Sequence, residues 1–179
     1  VIRTVLVGAG AISRKHLLAI AENQTDFALS AVADLDAGRA SDLAASAESE
    51  YQLARPLVFP SLESALEALQ VDVVSIATGS SSHVPLAIRA LEAGAHVILE
   101  KPVALSIADT ARLVSAAAQA RRQVGVCYIT RFHPVASWLL GLARSGAFGQ
   151  IRHVAASVYW NRNDEYYRQA PWRGTWSKD

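Results

Sequence analysis

The sequence holds a single cysteine, Cys127, and no methionine at all. One thiol excludes an internal disulfide framework and suits a reducing compartment, so a cytoplasmic location is expected. Charge is also scarce: 18% of the 179 residues are Asp, Glu, Lys or Arg, and they balance to +1. The cations are scattered rather than clustered, which leaves no electrostatic case for nucleic acid or an anionic membrane as partner. No run approaches the roughly 20 apolar residues of a membrane span. The first ten residues read as a strand entering a glycine turn, not as a signal peptide. What is plentiful is apolar residues, 51% of the chain, enough for a sizeable core and too many for disorder.

Those residues come in short runs. Ile2–Val7, Ala28–Ala33, Val71–Ala77, Ala95–Leu99 and Val124–Cys127 are rich in Val, Ile and Ala and suit strands buried on both faces. Leu57–Phe59, between Pro56 and Pro60, reads as an edge strand. Helix signals fill the gaps. Ser82 is placed to cap a helix carrying Val84, Ala87, Ile88 and Leu91, with Gly94 to end it. Ser106 with Asp109 resembles a capping box opening a helix to about Arg121. Ser61 is placed to cap 62–69, while 37–47 reads as helix from propensity alone. Strand and helix in alternation predict an α/β fold, a doubly wound parallel sheet with helices on both faces, over residues 1–128.

After Tyr128 the texture changes. A helix is expected over 133–143, ended by Gly146 or Gly149. Residues 151–160 alternate, with Val154, Ala156, Val158 and Trp160 on one face, which predicts an antiparallel strand. Residues 150–179 also carry six of the thirteen aromatics. A lone strand and an aromatic tail cannot bury themselves. Residues 129–179 therefore read as the beginning of an incomplete α+β domain for substrate and oligomer contacts.

Gly8-Ala9-Gly10-Ala11-Ile12-Ser13 follows the first strand and precedes a helix. Gly8 permits a tight turn, Gly10 lets backbone approach a pyrophosphate, and the helix start at Ala11 and Ile12 offers free N–H groups and a positive dipole end. Ser13 replaces the third glycine of this fingerprint and is small enough for close packing. Asp34 ends the second strand 21 residues after Ser13, where a carboxylate accepts hydrogen bonds from an adenosine ribose. A 2′-phosphate would meet Asp34 and Asp36, with only Arg39 to compensate, so NAD is favoured over NADP.

Glu100-Lys101-Pro102 ends a buried strand, where open α/β sheets bind their ligands. Together with Gly8-x-Gly10-x-x-Ser13-x-x-His16, Ala77-Thr78 with His83, and Ala93-Gly94, this motif resembles the Gfo/Idh/MocA oxidoreductases, the glucose–fructose oxidoreductase and inositol dehydrogenase family. Arg131-Phe132-x-Pro134 and Trp172-Arg173-Gly174-Thr175 also look like family segments. The stretch from Tyr166-Tyr167 to Thr175 is most similar to members acting on nucleotide-linked N-acetylamino sugar acids.

The resemblance implies that Lys101 lies beside nicotinamide and substrate as the catalytic residue, holding the reacting hydroxyl. Thr78, His83, Glu100, Lys101 and Arg131 join Gly8, Gly10, Ala11, Ile12 and Asp34 as candidate cofactor contacts; no metal is expected. It further implies a sugar-type substrate and a homo-oligomeric full-length protein. A cis Lys101–Pro102 bond is in reach, since proline reduces the trans preference to roughly 0.5–1 kcal/mol.

Two departures stand out. Gly79 replaces a common proline and is expected to loosen its loop. The family's catalytic histidine would fall beyond Asp179, and none of the five histidines replaces it. The functional expectation is thus the cofactor-binding portion of an NAD-dependent dehydrogenase that takes hydride from a secondary alcohol of a sugar, cyclitol or sugar nucleotide. The rival is a non-catalytic dinucleotide-binding or redox-sensing module; a methyltransferase is disfavoured by Glu100-Lys101-Pro102.

Overall fold

The computed structural model describes residues 1–169 and 173–176. They fall into two compact units: Val1–Cys127 with Thr175 and Trp176, and the remainder from Tyr128 to Gly174. The first unit is built on β1 (Ile2–Val7), β2 (Phe27–Ala33), β3 (Leu57–Phe59), β4 (Val73–Ile76), β5 (His96–Leu99) and β6 (Val124–Val126). They pair in the order β3-β2-β1-β4-β5-β6, and every pairing is parallel. Leu57–Phe59 is thus an edge strand, as its flanking prolines predict.

Five helices link the strands: α1 (Ser13–Glu22), α2 (Ala37–Ser49), α3 (Leu62–Ala68), α4 (His83–Glu92) and α5 (Ile107–Ala120). Alternate residues of the strands feed two cores. Leu6, Leu29 and Val32 pack with Leu17 and Ile20 of α1 and Leu43 and Ala47 of α2. Val5, Val7, Val74, Ile76, Val97 and Leu99 pack with Leu62, Ala87, Leu91 and Leu113 of α3, α4 and α5. Burial on both faces explains why the strands read as continuous apolar runs, each large aliphatic side chain contributing about 1.5–3 kcal/mol.

The caps are mostly local sequence at work. Ser61 accepts from the Ser64 N–H at 3.2 Å. Ser106 accepts from the Asp109 N–H at 3.0 Å and donates its hydroxyl to that carboxylate at 2.8 Å. Asp36 caps α2, accepting from the Arg39 N–H at 3.1 Å, a signal that a reading from propensity alone passed over. Ser82 corrects an expectation. It is helical and caps nothing; its hydroxyl donates to the Gly79 carbonyl at 2.8 Å and meets Thr78 Oγ1 at 2.7 Å. These bonds tie residues 78–82 together, against the loosening expected from Gly79.

β1 and the approach to β4 are stitched by charge. Arg3 donates Nε and Nη2 to the two Asp72 oxygens, each at 2.8 Å, and its backbone N–H to the same carboxylate. The Arg3 guanidinium holds the Asp72 carboxyl far below the usual carboxylate range.

The second unit contains α6 (Pro134–Arg144) and α7 (Asp164–Arg168). His133 caps α6, with Nδ1 accepting from the Val135 N–H at 3.3 Å. The strand expected over 151–160 does not form: these residues have no regular secondary structure and are exposed. A strand exists only by pairing, and no strand of this unit is available among the described residues. Tyr166 and Trp160 meet arginines instead. Arg173 lies 4.1 Å over the Tyr166 ring, and Arg162 lies 4.7 Å over the same ring and 4.9 Å over Trp160.

Candidate functional site

The strand order reverses between β1 and β4, and in open α/β sheets such a reversal marks the crevice at the strands' carboxyl ends where ligands bind. Gly8 stands at its floor with φ +95°, and a Cβ there would lie 2.6 Å from the Ala77 carbonyl oxygen and 2.9 Å from Thr78 Cγ2. Glycine is required here by the passing Ala77 backbone as much as by the turn. Gly10 is the opposite case, with nothing within 4 Å of a built Cβ. Backbone at Gly10 can therefore be approached closely.

α1 begins next to it. No side chain caps this helix, and its first turn contains no acidic residue, so Ala11 and Ile12 lead into a helix start whose electrostatics suit an anion. Ser13 is fully buried and its hydroxyl donates to the Gly10 carbonyl, holding the turn from within. A shallow pocket beside the turn is lined by Ala9, Gly10, Arg14, Arg39, Asp42 and Leu43. Two guanidinium groups thus border the glycine turn.

Asp34, just past β2, has an 11% exposed side chain. Its Oδ2 accepts from the Ala9 N–H at 2.6 Å, and its Oδ1 from the Asp36 N–H at 2.8 Å and from Arg39 Nη2 at 3.3 Å. The fingerprint acid therefore braces the glycine turn itself, a contact that spacing alone does not reveal. A carboxylate has about four acceptor positions, so three engaged donors leave room for a further one. Arg39 also reaches Asp36 Oδ2 through Nε at 3.3 Å. Asp36 is lowered in pKa, first by the Arg39 backbone N–H.

Lys101 follows β5, exposed, and its bond to Pro102 is cis. The residues on either side are held from below. Glu100 Oε2 accepts from the Lys101 N–H at 3.2 Å, while its Oε1 faces His16 Nε2 at 3.1 Å. A carboxylate only accepts, so Nε2 carries the hydrogen. His16 Nδ1 meets the Ser75 hydroxyl at 2.8 Å. On the other side, His83 is 1% exposed, with Nδ1 2.7 Å from the Pro102 carbonyl oxygen and Nε2 3.2 Å from that of Thr78. His83 belongs to the framework of these two loops, both its nitrogens facing backbone.

Cys127, half-buried, follows β6 directly. Burial first, and then the Glu100 charge, push its thiol above the ordinary value. His16, Glu100 and Cys127 present donor atoms within 4.8 Å of one another. That partial metal-ligand set is a juxtaposition sequence spacing did not announce. Within it, His16 and Glu100 are engaged in a hydrogen bond.

Arg131, expected among the cofactor contacts, lies in a short 3-10 turn (Ile129–Phe132) of the second unit and is exposed. Trp172 falls outside the described residues. His96 is structural, its Nδ1 accepting from the Gln123 N–H at 3.1 Å. No described helix is long and apolar enough to cross a membrane.

Comparison with known proteins follows the same lines. Residues 2–128 match the sequence model of the Gfo/Idh/MocA oxidoreductases, described as an oxidoreductase family with an NAD-binding Rossmann fold. UDP-N-acetylglucosamine 3-dehydrogenase of Acidithiobacillus ferrooxidans is 32% identical over 154 residues, covering 86% of this chain and 44% of its own. Inositol 2-dehydrogenase 4 of Saccharopolyspora erythraea is 35% identical over 157 residues, 86% of this chain and 45% of its own. Among solved structures, the WlbA dehydrogenase of Bordetella pertussis, in complex with NADH and UDP-GlcNAcA, superposes with a TM-score of 0.90. It is 34% identical, with 99% of this chain and 52% of that one covered. The chain spans about half the length of the relatives it matches.

Proposed function

The chain belongs to the Gfo/Idh/MocA oxidoreductase family and carries its NAD-binding Rossmann fold, and from that premise we propose that it is the cofactor-binding portion of a dehydrogenase acting on a sugar-type alcohol. A nucleotide-linked N-acetylamino sugar acid is the preferred substrate class, supported by the WlbA likeness, which extends over nearly the whole chain. Residues 129–179 are read as the opening of a substrate domain, and the full-length protein as a cytoplasmic homo-oligomer. The observation that carries the proposal is the reversal of strand order between β1 and β4, with the glycine turn, Asp34, Thr78 and Lys101 all at strand carboxyl ends.

The residues present fit a dinucleotide. Gly10 leaves its approach open and α1 starts without a capping side chain. NAD, when bound, supplies the hydride acceptor. Gly10, Ala11 and Ile12 would hold its pyrophosphate through backbone N–H groups and the helix dipole, while Gly8, whose own N–H is donated to the Ala33 carbonyl, would shape the turn around it. Asp34 would accept from the ribose, and its carboxylate, with Asp36 two residues on, disfavours a 2′-phosphate. Lys101, exposed at the crevice, would donate a hydrogen bond to the reacting oxygen and stabilise negative charge as it develops there. Thr78 and Arg131 are proposed as further cofactor contacts. Glu100 holds the backbone of Lys101.

Calorimetric titration of this chain with NAD and NADP, beside Asp34→Ala, tests the reading. NAD should bind, and the substitution should weaken it about tenfold to a hundredfold, the worth of one charge-assisted hydrogen bond or two. A chain that melts cooperatively yet binds neither dinucleotide would refute the proposal.

A further inference from the structure

Two buried histidines stand beneath the crevice with no part in the proposed chemistry. They come from different helices, His16 from α1 and His83 from α4. The His16 side chain is 10% exposed and His83 1%. Each reaches the Glu100-Lys101-Pro102 turn, and they do so on opposite sides of Lys101. His16 donates Nε2–H to the Glu100 carboxylate, whose other oxygen holds the Lys101 N–H. The far side of the His16 ring is fixed by the Ser75 hydroxyl of β4. His83 approaches the Pro102 carbonyl with Nδ1 and the Thr78 carbonyl with Nε2, so one ring spans the loop after β4 and the turn after β5.

A neutral imidazole has one donor. Of the two His83 contacts, the 2.7 Å approach to Pro102 is the better hydrogen bond. The Glu-Lys-Pro turn is therefore pinned at residue 100 by a side chain and at residue 102 by its carbonyl, with exposed Lys101 between. An exposed lysine has several rotatable bonds and a flexible stem; its placement depends on the backbone from which it springs.

We propose that His16 and His83 are positioning residues that bracket Lys101 and set where its ammonium stands in the crevice. This rests on the reading of Lys101 as the group that addresses the reacting oxygen. His16 also couples two functions: the helix whose start faces the glycine turn is the helix that orients Glu100.

Asparagine and glutamine separate this role from mere space-filling. A glutamine amide reaches the position of Nε2, an asparagine amide that of Nδ1. His16→Gln keeps the donor to Glu100 and His16→Asn loses it; His83→Asn keeps the donor to Pro102 and His83→Gln loses it. All four are polar and modest in size, and a melt of each checks that it folds.

The first readout is the 15N order parameter of the Lys101 amide in this chain saturated with NAD. Wild type, His16→Gln and His83→Asn should stay near the rigid value of about 0.85, with His16→Asn and His83→Gln falling towards about 0.6. The second is turnover of UDP-GlcNAcA with NAD by the full-length enzyme. There the two losing variants should drop kcat about tenfold or more, with KM for NAD changed less than about twofold, as expected for a misplaced group. Asparagine and glutamine forms that behave alike at both positions would overturn the proposal. A full-length wild type that binds NAD but oxidises no sugar alcohol would sink the dehydrogenase reading alone, because the order parameters still decide whether the histidines hold the turn.

Discussion

Replacing Gly8 by alanine should unfold the site, whereas the same change at Gly10 should leave the fold intact and strike the ligand. At Gly8 the added methyl would sit 2.6 Å from the Ala77 carbonyl oxygen, 2.8 Å from its carbon and 2.9 Å from Thr78 Cγ2. The first two are backbone atoms and cannot swing aside. Overpacking of this kind costs about 1–3 kcal/mol. The backbone at φ +95° adds about 1–2 kcal/mol for any residue with a Cβ. A total of about 2–5 kcal/mol is a large share of the 5–15 kcal/mol typical of a folded domain. In a thermal melt followed by circular dichroism it corresponds to about 4–20 °C for a chain of this size. Gly10→Ala meets nothing within 4 Å and should melt within about 2 °C of wild type. Its methyl would nevertheless stand where the pyrophosphate is proposed to approach, so NAD affinity should fall. Gly8→Ala melting with wild type, or Gly10→Ala losing as much stability, would refute the steric assignment.

Two pH-dependent outcomes follow from the charge network. Asp72 has a folded-state pKa held below its unfolded value of about 3.9 by Arg3, so its contribution to stability is present above that value and is lost as pH falls through the folded one. Asp72→Asn should therefore lower the urea midpoint at pH 7, and the gap from wild type should close on strong acidification; a gap independent of pH would contradict the ion pair. Cys127, raised by burial and then by Glu100, should react with iodoacetamide more slowly at pH 8 than a free cysteine, with a rate midpoint above about 8.5. Glu100→Gln should move that midpoint down, and an unshifted profile would remove the Glu100 charge as a cause.

Local patterning determined most of the fold. Strands buried on both faces must be short apolar runs, and β1 forms where such a run lies. Ser61 and Ser106 cap their helices because a hydroxyl three residues ahead of an N–H needs no distant partner. Glycine spacing and the acid 21 residues beyond Ser13 pointed to the proposed dinucleotide site on the same grounds of pattern. Alternation over 151–160, by contrast, misled. A period of two expresses a capacity to pair, and pairing requires a second strand.

What only tertiary structure decided are the partners across long separations. That Asp34 braces Ala9, that Gly8 is glycine because residues 77 and 78 pass against it, and that His16 meets Glu100 across 84 positions were not legible in any window. Periodicity and capping depend on neighbours a few residues away. These contacts depend on the order and register of six parallel strands, which set which loop ends stand side by side.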